Sequence, residues 1–150
     1  QSVFARDILN EKNGPPPEIN LFNEKNNGET ILKLIEKDYI KSSHDVSLGG
    51  IITAIAKMCI KGNKGMEFKK PRYLINQFEY LFGEDQGRYI IEVEKNNLKN
   101  VKEILDKSSI YYDELGIVIE KDLIIDEKTK VKIDELITSN TNWLNKYMSK

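Results

Sequence analysis

Two short stretches of the sequence concentrate residue types that bind phosphate and metal ions. The first, HDVSLGG, covers residues 44–50 and places Asp45 and Ser47 just before two glycines. Glycine lets a ligand or another backbone segment approach closely, and a helix start offers unpaired N–H groups at the positive end of its dipole. Asp45 is an oxygen ligand of the kind that Mg²⁺ accepts when it bridges phosphates. The stretch is therefore typical of a phosphate-binding turn built from Ser47, Gly49 and Gly50.

A structural interpretation of the same stretch is also open. Ser47 would cap the following helix by accepting a backbone N–H bond, and Asp45 would pair locally. His44 is the single histidine of the chain, so no second imidazole completes a metal set. We therefore interpret His44 as a hydrogen-bonded structural residue.

The second stretch, GEDQGR, covers residues 83–88. Glu84 and Asp85 are adjacent carboxylates that repel each other, so they favour a cation, a donor-rich ligand or water, and Gln86 adds a further acceptor. The alternative is a solvated turn in which Arg88 neutralises its neighbours.

The neighbouring elements decide whether the two stretches can share a site. Residues 43–47 predict a strand that leads into an apolar helix at 51–61, and a helix ending at Gly83 precedes the clearest strand, at 88–94. One loop thus follows its strand and the other precedes its strand. They reach the same edge of a sheet only if the two strands are antiparallel.

The remaining pattern alternates helices with few, short strands. Further helices are predicted at 2–10, 29–41, from Pro71 to Gly83, 97–107 and 133–147, with strands at 66–69 and two more within 110–125. We therefore predict an α+β fold with three layers, in which a mixed or antiparallel sheet is flanked by helices. The proline stretch NGPPP ends the opening helix, so we divide the chain into a linker at 1–22 and a single domain at 23–150.

Composition excludes several classes of protein. The chain has 150 residues and a net charge of −1, which does not favour nucleic acid. The one cysteine, Cys59, allows no intrachain disulfide and is predicted to be buried. No apolar run reaches the ~18 residues that span a bilayer. Trp143 is predicted to anchor the last helix by packing.

Four segments resemble the phosphoribosylformylglycinamidine synthase family. HDVSLGG and FGEDQGRY resemble two signatures of the second half of its large chain, QSVFARDI with PPP resembles its linker, and TNWLNKYM resembles its C-terminal W-L-x-x-Y-M pattern. The resemblance covers essentially the whole chain, with the segments in the family's order. It implies a fold similar to the C-terminal domain of aminoimidazole ribonucleotide synthetase.

The resemblance also implies an activity and partners. The family uses ATP to activate a formyl amide oxygen, and ammonia from a glutaminase subunit displaces phosphate, which converts formylglycinamide ribonucleotide to formylglycinamidine ribonucleotide. It implies a cytoplasmic enzyme whose partners are the N-terminal domains of the same parent chain, the glutaminase subunit and a small accessory subunit. Nucleic acid and membrane are not among them.

By the same resemblance, Asp45 matches a magnesium-binding aspartate of the first half, and the Glu84–Asp85–Gln86 segment matches its substrate-binding motif. The second-half pocket need not perform the chemistry, and Leu48 replaces an acidic residue common at its position. The family's catalytic histidine and main ATP-binding residues belong to N-terminal domains. We therefore expect no catalytic residue here, ATP and Mg²⁺ only in the full enzyme, and neither tightly bound to this chain.

The absence of an initial Met predicts that a longer chain precedes Gln1. The apolar residues of the opening helix are then expected to lack their partner, so that residues 1–22 are mobile, fold back or pack on a neighbouring copy. Two alternatives remain open. One is a selenophosphate synthetase or hydrogenase-maturation domain, which the FGEDQGR segment disfavours, and the other is a stand-alone interaction module.

Overall fold

Helices and strands alternate through the computed structural model, which describes residues 2–69 and 76–149. The helices of the described part are α1 (Val3–Asp7), α2 (Leu21–Glu36), α3 (Gly50–Gly62), α4 (Gln77–Phe82), α5 (Leu98–Lys107) and α6 (Ile133–Met148). Its strands are β1 (Ser42–Asp45), β2 (Gly65–Phe68), β3 (Tyr89–Glu92), β4 (Gly116–Ile119), β5 (Leu123–Ile124) and β6 (Lys130–Val131). None of the helices in the described residues is both long and apolar enough to cross a membrane.

The chain divides into two compact units. The first comprises Gln1–Ala54 and Ile75–Tyr112, and the second comprises Ile55–Leu74 and Asp113–Lys150. The division falls within α3, so this one helix contributes residues to both units.

The first unit is built on an antiparallel pair of strands and two helices. β1 pairs with β3, and the core is formed by Leu34 of α2, Ile40, and Val101 and Leu105 of α5. Val101 and Leu105 are four residues apart and so lie on one face of their helix. Burying each such side chain contributes about 1.5–3 kcal/mol. This packing fixes the position of β3, because Ile91 contacts the same core.

The second unit contains a four-stranded mixed sheet in the order β4-β2-β5-β6. β2 is antiparallel to β4 and parallel to β5, and β5 is antiparallel to β6. The carboxylate of Asp126 accepts N–H bonds from Lys128 and Thr129 at 2.9 and 2.7 Å, which forms the turn between β5 and β6.

The predicted mixed class of helices and sheet is confirmed, but the expected single sheet is wrong: the described strands form two sheets. Strand patterns predict which residues are extended and do not predict which strands pair. α2 begins at Leu21, earlier than the apolar spacing predicts, because the Asn20 side chain caps it by accepting the Asn23 N–H at 3.0 Å. The predicted helix start at Pro71 lies outside the described residues.

Three predictions about individual apolar residues have different outcomes. α1 folds back, since Phe4 stacks on Phe82 with ring centroids 4.3 Å apart. Cys59 is buried as predicted. Trp143 is 60% exposed, so the prediction that it anchors α6 by packing is wrong for the described residues of this chain.

A buried hydroxyl in α2 provides a test of the core. Thr30 is 1% exposed, and its Oγ1 has no hydrogen-bond partner among the described residues. Because valine has the same shape without the unpaired hydroxyl, we expect Thr30→Val to raise the free energy of unfolding by about 1 kcal/mol in urea titrations. Thr138→Val on the exposed face of α6 is the control and should change it by less than about 0.5 kcal/mol. A loss of stability in Thr30→Val would show that the hydroxyl is satisfied.

Candidate functional site

The antiparallel ladder brings the two polar stretches to one end of the β1–β3 pair. Asp45, the last residue of β1, is opposite Tyr89, the first residue of β3. The Val46 N–H donates to the Arg88 carbonyl oxygen at 2.9 Å, which continues the pairing into both loops. The strand direction that the sequence requires for a shared site is therefore present.

The double glycine forms a tight turn against the end of α4. Gly49 and Gly50 have backbone φ angles of +86° and +72°, values that residues with a side chain rarely adopt. A Cβ on Gly50 would lie 2.6 Å from the Leu81 carbonyl oxygen and 2.8 Å from that of Gly83. The glycines thus allow the backbone at the end of α4 to approach closely. The sequence left open whether a ligand or another backbone segment would approach at this position.

Capping of α3 differs from the prediction for Ser47. The Gly50 N–H donates to the Ser47 carbonyl oxygen at 3.0 Å. Ser47 is exposed, and its hydroxyl accepts no N–H of α3 in the described part of the chain. The Gly49 N–H donates instead to Oε1 of Glu84 at 2.8 Å. A carboxylate distant in sequence therefore takes the place of the expected cap.

Glu84 joins three parts of the first unit. Its Oε1 also accepts the Val3 N–H at 2.8 Å, at the first residue of α1. The same oxygen thus contacts the start of α1 and the residue before α3, while Glu84 itself follows α4. These contacts turn the Glu84 carboxylate toward the protein.

The other residues of the acidic loop have different surroundings. Arg88 folds the loop on itself, since its Nη2 donates to the Gly83 carbonyl at 2.6 Å and lies 3.4 Å from the Asp85 carboxylate. The Asp85 side chain is 63% exposed, and Gln86 is also exposed. The geometry matches the solvated turn neutralised by Arg88 and leaves Asp85 and Gln86 accessible.

Asp45 is paired locally. His44 Nδ1 lies 2.6 Å from the Asp45 carbonyl oxygen, to which it donates when it carries the proton, and 3.4 Å from the Asp45 carboxylate. The Asp45 side chain is 66% exposed. No group of three His, Cys, Asp or Glu side chains able to hold a metal ion occurs within residues 2–69 and 76–149. Asp45 therefore offers one accessible carboxylate rather than a metal centre.

Arg6 places a positive charge near Glu84. The hydrogen bond that Arg6 donates to Asp7 raises the pKa of Arg6, the charge of Asp7 raises it further, and the charge of Glu84 adds a smaller effect. The hydrogen bond from Arg6 correspondingly lowers the pKa of the exposed Asp7 carboxyl. α1 thus brings a guanidinium to the same edge as the acidic loop.

Sequence reasoning missed the contribution of α2. Asn27 donates from Nδ2 to the Gly87 carbonyl oxygen at 2.8 Å, and Gly87 has a φ of +71° next to the Glu24 carboxylate. The polar run at 23–29 contains the residues that hold this loop. The only sequence feature that marks this run is an Asn-Asn-Gly sequence, which is unusual inside a helix.

Comparison with known proteins gives consistent matches. Residues 1–127 match the family described as AIR synthase related protein, C-terminal domain. The chain is 74% identical over 148 residues to phosphoribosylformylglycinamidine synthase subunit PurL of Pelagibacter ubique, which covers 99% of this chain and 20% of that protein. The chain thus spans about a fifth of the length of this relative.

Solved structures show the same fold. PurLQS from Thermotoga maritima matches with a TM-score of 0.72 and 22% identity, covering 88% of this chain and 24% of that one. T. maritima PurL complexed with ATP matches with a TM-score of 0.67 and 23% identity, covering 75% of this chain and 21% of that one.

The double glycine makes the turn testable. Gly50→Ala places a methyl group against two carbonyl oxygens at a positive φ, so we expect it to lower the free energy of unfolding by at least about 2 kcal/mol. Gly62→Ala, in the same helix, meets nothing within 4 Å and should be neutral or stabilising by up to about 1 kcal/mol. Thermal and urea unfolding of both variants checks this. Equal stability of the two variants would contradict the close approach of α3 to α4.

Proposed function

Since the chain belongs to the family of AIR synthase related proteins, C-terminal domain, we propose that it is the C-terminal domain of a phosphoribosylformylglycinamidine synthase. In this proposal, the full cytoplasmic enzyme uses ATP and glutamine-derived ammonia to convert formylglycinamide ribonucleotide to formylglycinamidine ribonucleotide in purine biosynthesis. Residues 1–22 act as the linker and 23–150 as one functional domain. The 74% identity to a PurL subunit over nearly the whole chain carries this proposal.

The domain's role in the proposal is structural and pocket-forming. The N–H groups of Gly49 and Gly50 are already bonded within the chain, to Glu84 and to the Ser47 carbonyl. These donors hold the turn in place of a phosphate. Asp85 and Gln86 extend from the same edge with exposed side chains and are the residues that we propose to face substrate. Glu84, in the same acidic loop, holds that loop in position.

ATP and Mg²⁺ are assigned to the longer protein. T. maritima PurL has been solved in complex with ATP, and that likeness supports nucleotide binding by the full enzyme. Asp45 is the proposed magnesium contact of this chain, but a single exposed carboxylate does not fit a metal ion held by the described side chains alone.

Exposed apolar side chains support docking against the rest of a longer chain. In the second unit they lie on α6, and in the first unit on α2. They are Trp143, Leu144, Tyr147 and Met148 of α6, and Leu21, Phe22, Leu32 and Ile35 of α2. Apolar patches of this kind mark interaction surfaces. The other four fifths of the matched PurL length supply the proposed partner, with glutaminase and small accessory subunits as further partners of the full enzyme.

The isolated chain should have no synthase or ATPase activity, because catalytic histidine and ATP-binding residues are expected in the N-terminal domains. Steady-state ATP hydrolysis with formylglycinamide ribonucleotide and ammonia should equal the buffer blank. The product of the full reading frame should form formylglycinamidine ribonucleotide and lose this activity when residues 1–150 are deleted. Turnover by the isolated chain, or full activity after the deletion, would refute the proposed function.

The exposed face of α6 should cause weak self-association when the chain is isolated. Light scattering over a concentration series should show the mean mass rising, and Trp143→Ser with Tyr147→Ser should reduce that rise because it removes exposed aromatic area. Tyr111→Ser is the control, since Tyr111 is an exposed aromatic residue outside α6. A strict monomer at all concentrations, or an equal effect of the control, would rule out this surface as a docking face.

A further inference from the structure

We propose that Glu84 is a latch that holds the opening helix α1 on the Gly49–Gly50 turn, rather than a carboxylate that contacts ligand. Its Oε1 accepts two backbone N–H groups at 2.8 Å, from Val3 and from Gly49. These donors are 81 and 35 residues away in sequence. One oxygen therefore connects α1 with the Gly49–Gly50 turn, and no other hydrogen bond joins these two segments within the described residues.

Both donors are of the kind that a carboxylate satisfies best. Val3 is the first residue of α1, and Gly49 directly precedes α3. N–H groups at helix starts have no partner within the helix and lie at the positive end of its dipole. Hydrogen bonds from such groups to an ionised carboxylate are shorter and stronger than those between neutral groups. Glu84 thus accepts an otherwise unpaired N–H group at the start of each of two helices, α1 and α3.

α1 depends on contacts outside itself. It has five residues, and a helix of this length is not stable alone in water. Phe4 stacks on Phe82 and Phe78 at centroid distances of 4.3 and 5.5 Å, and the Ser2 hydroxyl caps the Ala5 N–H at 3.2 Å. The aromatic stack holds one side of α1, and Glu84 holds its first turn. Release of the carboxylate should therefore loosen the start of α1.

The neighbouring carboxylate has no such role. Asp85 is exposed and contacts the Arg88 guanidinium at 3.4 Å, within its own loop. Two adjacent acidic residues thus divide their functions, with Glu84 directed to the protein and Asp85 to solvent. Asp85 is therefore a matched control that differs from Glu84 in its contacts and not in its charge or its loop.

Hydrogen exchange at single-amide resolution tests the latch on the full chain. Glu84→Ala should speed exchange of the Val3 and Gly49 amides by about tenfold or more, since each loses a charge-assisted bond. Glu84→Gln, which keeps a neutral acceptor oxygen, should give a smaller increase at the same two amides. Asp85→Asn should leave both amides at the wild-type rate.

The outcomes are separable even if one variant unfolds. Protection of the Val101 amide in the core reports whether the first unit is folded. If Glu84→Ala loses this protection, the test rests on Glu84→Gln. Faster exchange in that variant, confined to the Val3 and Gly49 amides, supports the latch. Unchanged exchange at these two amides in a folded Glu84 variant would overturn the proposal, as would an equal effect of Asp85→Asn.

Discussion

The antiparallel register of β1 and β3 is the constraint on which the candidate site depends. It sets Asp45 opposite Tyr89, so the loop that leaves one strand and the loop that enters the other meet at the same end. A shift of one residue would turn every side chain of a strand to the other face. The register is held by core packing, because Ile91 of β3 contacts the cluster that Leu34, Val101 and Leu105 form. Core and site are thus linked through one short strand.

Glycine and carboxylate then act together at this edge. Gly50 can approach the end of α4 only because it lacks a Cβ, and that approach brings the Gly49 N–H within reach of Glu84. The sequence of this turn is typical of a phosphate-binding turn, but the N–H groups of Gly49 and Gly50 form hydrogen bonds with Glu84 and with the Ser47 carbonyl oxygen. This arrangement is consistent with the structural role that we propose for the domain.

The sequence predicted the local elements better than their pairing. Periodic apolar residues placed α3, α5 and α6 within one or two residues of their observed ends. The two-residue strand β6 was missed because a strand so short carries no pattern. The division into two sheets was missed because partner choice depends on tertiary packing. The start of α2 was missed because its first turns are polar and only the cap of Asn20 marks them.

The site was predicted in outline and corrected in detail. The residue types located both loops, and the order of strand and loop required their antiparallel arrangement. The role of Glu84 has no local signal, because its partners are Val3 and Gly49, remote in sequence. The exposure of Trp143 could not be predicted from the sequence either, since a pattern shows that a residue is apolar and does not show which surface covers it.

Interstrand nuclear Overhauser effects on the isotopically labelled chain test the central claim most directly. Backbone protons of Asp45 should show contacts to those of Tyr89, and those of His44 to those of Ile90, as the register requires. A close Hα–Hα contact between Asp45 and Ile90 in place of the one between Asp45 and Tyr89, or an absence of contacts between the two strands, would contradict the register that brings the two loops to one edge.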